Sequence, residues 1–119
     1  MPEEMPHLTV KKADTVNVVE FADRKILEEL TIREIEEELF KLVASEKSIK
    51  LLLNFKNVEH LSSAALGMLI NLGKQVDKQS GKLILSDIKP QIYEVFKITR
   101  LNKLFEIHDT ASAAMARLQ

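Results

Sequence analysis

Residues 51–67, LLLNFKNVEHLSSAALG, constrain the fold more tightly than any other stretch of this chain. Leu51, Leu52 and Leu53 with Phe55 form a short apolar run without alternation, the pattern of a strand covered on both faces. A polar link through Asn57, Glu59 and His60 follows, and then Ser62 and Ser63 stand where a helix would begin. Ala64, Ala65, Leu66, Met68, Leu69 and Ile70 continue it as a helix that buries much of its surface. A serine at such a junction has two uses. Its hydroxyl can cap the helix by accepting a bond from an orphan backbone N–H. It can also accept a phosphoryl group, because the positive end of a helix holds a phosphate well. The two uses do not exclude each other, and at least one of the two serines is expected to cap.

A strand buried on both faces needs neighbours and helical cover, and the flanking patterns supply both. Residues 7–12 alternate weakly and suit an edge strand; Val16, Val18, Val19 and Phe21 make a stronger one. Asp14-Thr15 between them predicts a hairpin turn. Residues 22–30 lack strand alternation, although Ile26, Leu27 and Leu30 call for cover. Thr31-Ile32-Arg33-Glu34 has the capping-box pattern, which predicts a helix with Thr31 at the N-cap and Glu34 at N3. Ile32, Ile35, Leu39, Leu42 and Val43 then recur at helical spacing, leaving Glu34, Glu36, Glu37 and Glu38 to a solvated face.

The helix opened by the two serines should end near Ser80-Gly81, with Gly81 in the left-handed position after the cap and Gly73 permitting close packing. Residues 82–86 read as another short buried strand, and Pro90 opens a helix whose inner face carries Tyr93, Phe96 and either Ile92 or Val95. The pattern breaks over residues 99–103. Residues 104–108 read as a last strand, and Asp109-Thr110 caps a final helix through Ala114, Met115 and Leu118. The order β-β-α-β-α-β-α-β-α predicts an α/β fold: a mixed, mostly parallel sheet with helices packed on it. Sites in such sheets lie at the carboxyl ends of strands, where Ser62 and Ser63 fall. Residues 1–6 read as a disordered polar tail and residues 7–119 as one domain.

Composition narrows the function by exclusion. The 17 basic and 18 acidic residues leave a net charge of −1, which advertises no nucleic-acid surface. With no cysteine, disulfides, thiol catalysis and cysteine-held metals are excluded. No apolar run approaches the ~20 residues that span a bilayer. The start MPEEMPH is not a signal peptide, so a cytoplasmic location is expected. Three glycines cannot assemble a dinucleotide fingerprint or a phosphate loop, and His7, His60 and His108 lack metal-ligand spacing. His60 lies near Ser63, but no orienting acid accompanies the pair. The expectation is a binding protein rather than an enzyme, with no catalytic residue, metal or cofactor.

The stretches NVEHLSSAALGMLI and GKLILSDIKPQIYEVFKITRLNKLFEI, together with the element order, resemble the STAS domains. That family includes bacterial anti-sigma factor antagonists and the cytoplasmic tails of sulfate transporters. Its motif at the start of the helix is aspartate–serine–serine/alanine–glycine–leucine, and the serine after the aspartate is phosphorylated by a partner kinase. Matching Leu66-Gly67 to the family's leucine–glycine places Ser63 on the phosphoacceptor, with Ser62, the second choice, on the aspartate. Ala65 stands where the family has glycine, and residues 22–30 replace its glycine–x–leucine–aspartate. The resemblance implies an anti-sigma factor antagonist that uses His60, Ser62, Ser63 and Ala64 to meet an anti-sigma serine kinase. It also implies a metal-dependent serine phosphatase that reverses the modification. The rival it leaves is a STAS scaffold or sensory module that is never phosphorylated.

Overall fold

The computed structural model describes residues 5–119, so residues 1–4 of the expected tail lie outside the described residues. Met5 is half-buried and packs against the core. Five strands form the main sheet: β1 (Leu8–Ala13), β2 (Val16–Phe21), β4 (Lys50–Asn54), β6 (Lys82–Ser86) and β7 (Glu106–His108), in the spatial order β1-β2-β4-β6-β7. β1 and β2 form the expected antiparallel hairpin, with Asp14 in its turn at φ 56°. Every other pairing in this sheet is parallel. Two further strands of two residues each, β3 (Lys25–Ile26) and β5 (His60–Leu61), pair with one another in a separate parallel ribbon.

The leucine run sits at the centre of this arrangement. Leu51, Leu53 and Phe55 point into a large core built with α1 (Glu29–Ala44), α2 (Ser63–Lys78) and α3 (Pro90–Ile98). Leu52 points the other way, into a small core with Val16, Ile84, Ala114 and Leu118, the last two from α5 (Ala111–Leu118). Leu51, Leu52 and Leu53 are all fully buried, and each contributes about 1.5–3 kcal/mol of transfer free energy. A seam of rings closes the large core. Phe21 and Phe55 lie 4.9 Å apart between centroids, and Phe55–Phe96 and Phe96–Phe105 each lie 6.4 Å apart. Gly73 makes room for the last ring: a Cβ there would lie 3.2 Å from Phe105 Cε1, the close packing expected of it.

Three local expectations are corrected. First, α1 begins at Glu29 with Glu28 as its N-cap, so Thr31 lies inside the first turn instead of capping it. The competing demands are visible: Glu29 pairs with Arg33 across one turn at 3.0 Å, and Glu34 is drawn to His7. Glu38 likewise leaves the solvated face, being buried with its carboxylate accepting the His7 backbone N–H at 3.2 Å. Second, residues 101–104 form a short helix, α4 (Leu101–Leu104), so the last strand starts two residues later than the pattern suggested. Leu101 is buried, and the turn of α4 follows Arg100 in the left-handed region at φ 61°.

Third, Ser80, not Gly81, takes the left-handed conformation after α2, at φ 58°. The Ser80 and Gly81 N–H groups donate to the Asp77 and Val76 carbonyls at 3.0 and 2.9 Å, a Schellman closure with serine in the usual glycine position. Gly81 is needed for space instead. A Cβ there would come within 2.6 Å of the Ile49 carbonyl oxygen and 3.0 Å of Val76 Cγ1. Gly81→Ala is therefore expected to lower stability by about 1–3 kcal/mol through overpacking against backbone. Urea denaturation measures this, and Ser80→Ala at the strained position should change stability by less than Gly81→Ala.

Candidate functional site

The carboxyl end of β4 begins the site. Asn54 is buried and its side-chain oxygen accepts the Lys56 N–H at 2.8 Å, turning the chain out of the sheet. Lys89 Nζ donates to the Lys56 carbonyl, and Asn57 Nδ2 donates to the Phe21 carbonyl at 3.1 Å. Val58 is fully buried and anchors the loop from below. The chain then runs beside β3. The Arg24 carbonyl accepts the Glu59 N–H at 2.7 Å and the His60 N–H at 3.2 Å, and the Ile26 carbonyl accepts the Ser62 N–H at 3.1 Å. Arg24 also reaches Glu59 with its side chain at 3.0 Å, and this guanidinium holds the Glu59 carboxyl below its ordinary value.

Ser62 has extended backbone geometry (φ −87°, ψ 167°) and its hydroxyl accepts the Ala65 N–H at 3.1 Å. It is the N-cap of a 16-residue helix, and the capping role expected of at least one serine falls to it. Ser63 is the first helical residue and is exposed, and its hydroxyl has no hydrogen-bond partner among the described residues. Ala64 is exposed too, whereas Ala65 is fully buried, which explains a residue with only a methyl group at that position. The first turn of α2 contains no acidic side chain, so the positive end of the helix is not neutralised from within.

His60, Ser62, Ser63 and Ala64 thus lie together on one turn, with His60, Ser63 and Ala64 open to solvent and Ser62 half-buried. What the sequence pattern missed is the strip beside them. Lys25 and Ile26 pair with His60 and Leu61, Ile26 is buried as expected, and Leu27 and Leu30 stay 47% and 62% exposed, against the expectation that they would be covered. A two-residue parallel pairing is too short to leave a period-2 signature, so no local pattern could have announced it.

The architecture and this turn define an α/β domain that presents a capped helix N-terminus at the carboxyl edge of a mixed sheet. The family model for the STAS domain matches residues 11–114, and the chain belongs to that family. A curated relative from Bordetella bronchiseptica, BtrV, carries the name of an anti-sigma factor antagonist and is 31% identical over 65 residues. That match covers 55% of this chain and 56% of the relative. The anti-sigma F factor antagonist of Paenibacillus polymyxa is 24% identical over 68 residues, covering 57% of this chain and 58% of that one. The chain therefore matches less than two thirds of these curated relatives' length. Among solved structures, a STAS domain protein from Planctomyces limnophilus superposes with a TM-score of 0.85 at 18% identity, over 93% of this chain and 97% of that one. The phosphorylated form of SpoIIAA from Bacillus superposes with a TM-score of 0.68 at 14% identity, over 94% and 99% of the two chains. These likenesses establish the fold. No helix among the described residues is long and apolar enough to cross a membrane.

The division of labour between the two serines is measurable. Ser62→Ala should cost about 1 kcal/mol, the usual value of an N-cap, and Ser63→Ala only a few tenths, since no bond is lost. Equilibrium denaturation of both variants tests this, and equal losses would mean the two serines share the cap.

Proposed function

We propose that this protein is a regulatory binding domain that acts as an anti-sigma factor antagonist, switched by phosphorylation of Ser63. The observation that carries the reading is the exposed hydroxyl of Ser63 at the first position of α2, beside a neighbour that has already taken over the capping role. Unmodified, the turn formed by His60, Ser62, Ser63 and Ala64 docks on an anti-sigma serine kinase in the cytoplasm, and the sigma factor is released. Phosphorylation ends that contact, and a metal-dependent serine phosphatase restores it. The names of BtrV and of the Paenibacillus protein support this reading, as does the match of Leu66-Gly67 to the family motif.

The physical basis is local. A phosphate brings about −1.5 to −2 charges. At Ser63 it would meet the free N–H groups and positive dipole of α2 and no first-turn carboxylate, so the helix tolerates it. The change is felt by whatever docks on the turn, through added bulk and charge, while the fold stays as it is. Leu27, exposed and next in the chain to Ile26, adds an apolar side chain near this turn.

Two measurements test the proposal. Intact mass after incubation with ATP and the cognate kinase should show the gain of a single phosphate, abolished by Ser63→Ala and retained in Ser62→Ala. Ser63→Asp should weaken kinase binding at least tenfold with a nearly unchanged melting temperature, since the surface residue contributes little to stability. Kinase binding without any mass gain would establish the unmodified scaffold instead, a reading that Ser62 in the aspartate's place favours. A Ser63→Asp variant that fails to fold would show the serine to be structural.

A further inference from the structure

His7 immediately precedes β1, half-buried between three carboxylates from two other parts of the chain. Its Nδ1 stands 2.5 Å from Asp23 Oδ2, in the connection that leads into β3. Its Nε2 stands 3.0 Å from Glu34 Oε1 on α1, and its backbone N–H donates to Glu38 Oε1, also on α1, at 3.2 Å. The His7 carbonyl completes the junction by accepting the Ala22 N–H at 2.8 Å. An ionised carboxylate only accepts hydrogen bonds, whereas a neutral imidazole has one N–H and one lone pair. Two carboxylates facing the two ring nitrogens can both be satisfied only when both nitrogens carry a proton. The geometry is that of an imidazolium.

We propose that His7 is a proton-held clasp that fastens the β3 ribbon, and through it the Ser62 turn, to helix α1. The connection is short and continuous. Asp23 is followed by Arg24, whose carbonyl holds the Glu59 and His60 N–H groups, and then by Ile26, whose carbonyl holds the Ser62 N–H. The ribbon is held by a two-residue pairing, the Arg24–Glu59 ion pair and the buried Ile26, and Asp23 adds an anchor that ties it to α1 through His7. When the ring loses a proton it keeps a single N–H, so it can no longer donate to Asp23 and Glu34 at once, and the ring's bridge between the β3 connection and α1 is broken on one side.

The direction in pH follows from the groups that face the ring. Burial by itself lowers the pKa of His7, but the bonds to Asp23 and Glu34 and the charges of Asp23 and Glu38 outweigh it and hold it above the ordinary value. Burial pushes the Glu38 carboxyl up, against the pull of His7. A histidine raised on folding contributes its full stabilisation below the unfolded value of about 6.5 and loses it as pH rises through the folded value. The Ser62 turn is therefore held firmly on the acid side of that transition and loosened on the alkaline side. This device stands independently of whether Ser63 is phosphorylated.

The test is an NMR titration of the full chain from about pH 5.5 to about pH 9, spanning the ordinary imidazole range. Ring nitrogen shifts of His7 and amide protection factors of His60 and Ser62 are followed together. His7 is expected to carry both ring protons near neutral pH and to lose one above the ordinary range. The two protection factors should fall by about tenfold across the same transition, the factor expected from one charge-assisted hydrogen bond. In His7→Gln they should be low and flat with pH. Glu34→Gln, which keeps the ring and its bond to Asp23, should move the His7 transition and the loss of protection downward together. A singly protonated ring near neutral pH, or protection at His60 and Ser62 that stays constant while His7 titrates, would overturn the proposal.

Discussion

Burial of one strand on both of its faces is the constraint on which the rest of this structure depends. Leu51, Leu52 and Leu53 project alternately to opposite sides of the sheet and all are fully buried, so neither side can be left to solvent. One side needs α1, α2 and α3, and the other needs α5. Parallel neighbours require crossover connections, and those crossovers are the helices themselves. The N-terminus of α2 is consequently delivered to the carboxyl edge of the sheet, where the chain leaves β4. A phosphoryl-accepting or partner-reading hydroxyl has its natural place there, because the strand ends and the helix dipole converge on it.

The β3–β5 ribbon then decides the shape of that edge. It buries Ile26, half-buries Leu61 and offers few hydrogen bonds of its own, yet those bonds reach Glu59, His60 and Ser62 in succession. The Ser62 cap would still form without it, since its partner is the Ala65 N–H in the same turn. The loop before the cap has less to rely on. It is held from below by Val58, at its start by the bonds of Asn54, Asn57 and Lys89, and from the side by β3, which is joined in turn to the junction of His7 with Asp23, Glu34 and Glu38. The turn that we propose as a docking surface is thereby tied to both the first strand and the first helix.

Much of this was legible in the residues, and the failures have a common cause. The hairpin, the three inner strands, a serine cap at the opening of α2, the Asp109-Thr110 start of α5 and Pro90 at the start of α3 follow from short-range patterns that nothing contradicts. The capping box at Thr31 failed because Glu34 had a stronger use, facing a histidine 27 residues away. Glu38 left the solvated face for the same junction. Gly81 was placed in the correct turn for the wrong reason: its missing side chain spares Ile49, a residue of the adjoining strand connection, and Ser80 bears the left-handed backbone.

By itself, then, the sequence determined the alternation of strands and helices, the strand that had to lie at the centre, and the two serines at the opening of α2. Those features rest on hydrophobic periodicity and on capping between residues two or three apart, and such interactions are complete within a single element. Only the tertiary structure decided which serine caps and which remains free, that β3 lies beside the loop, and that His7 stands between the acids of α1 and Asp23. Each of those outcomes depends on bonds between residues far apart in the chain or on exposure in the folded state, which no local pattern encodes.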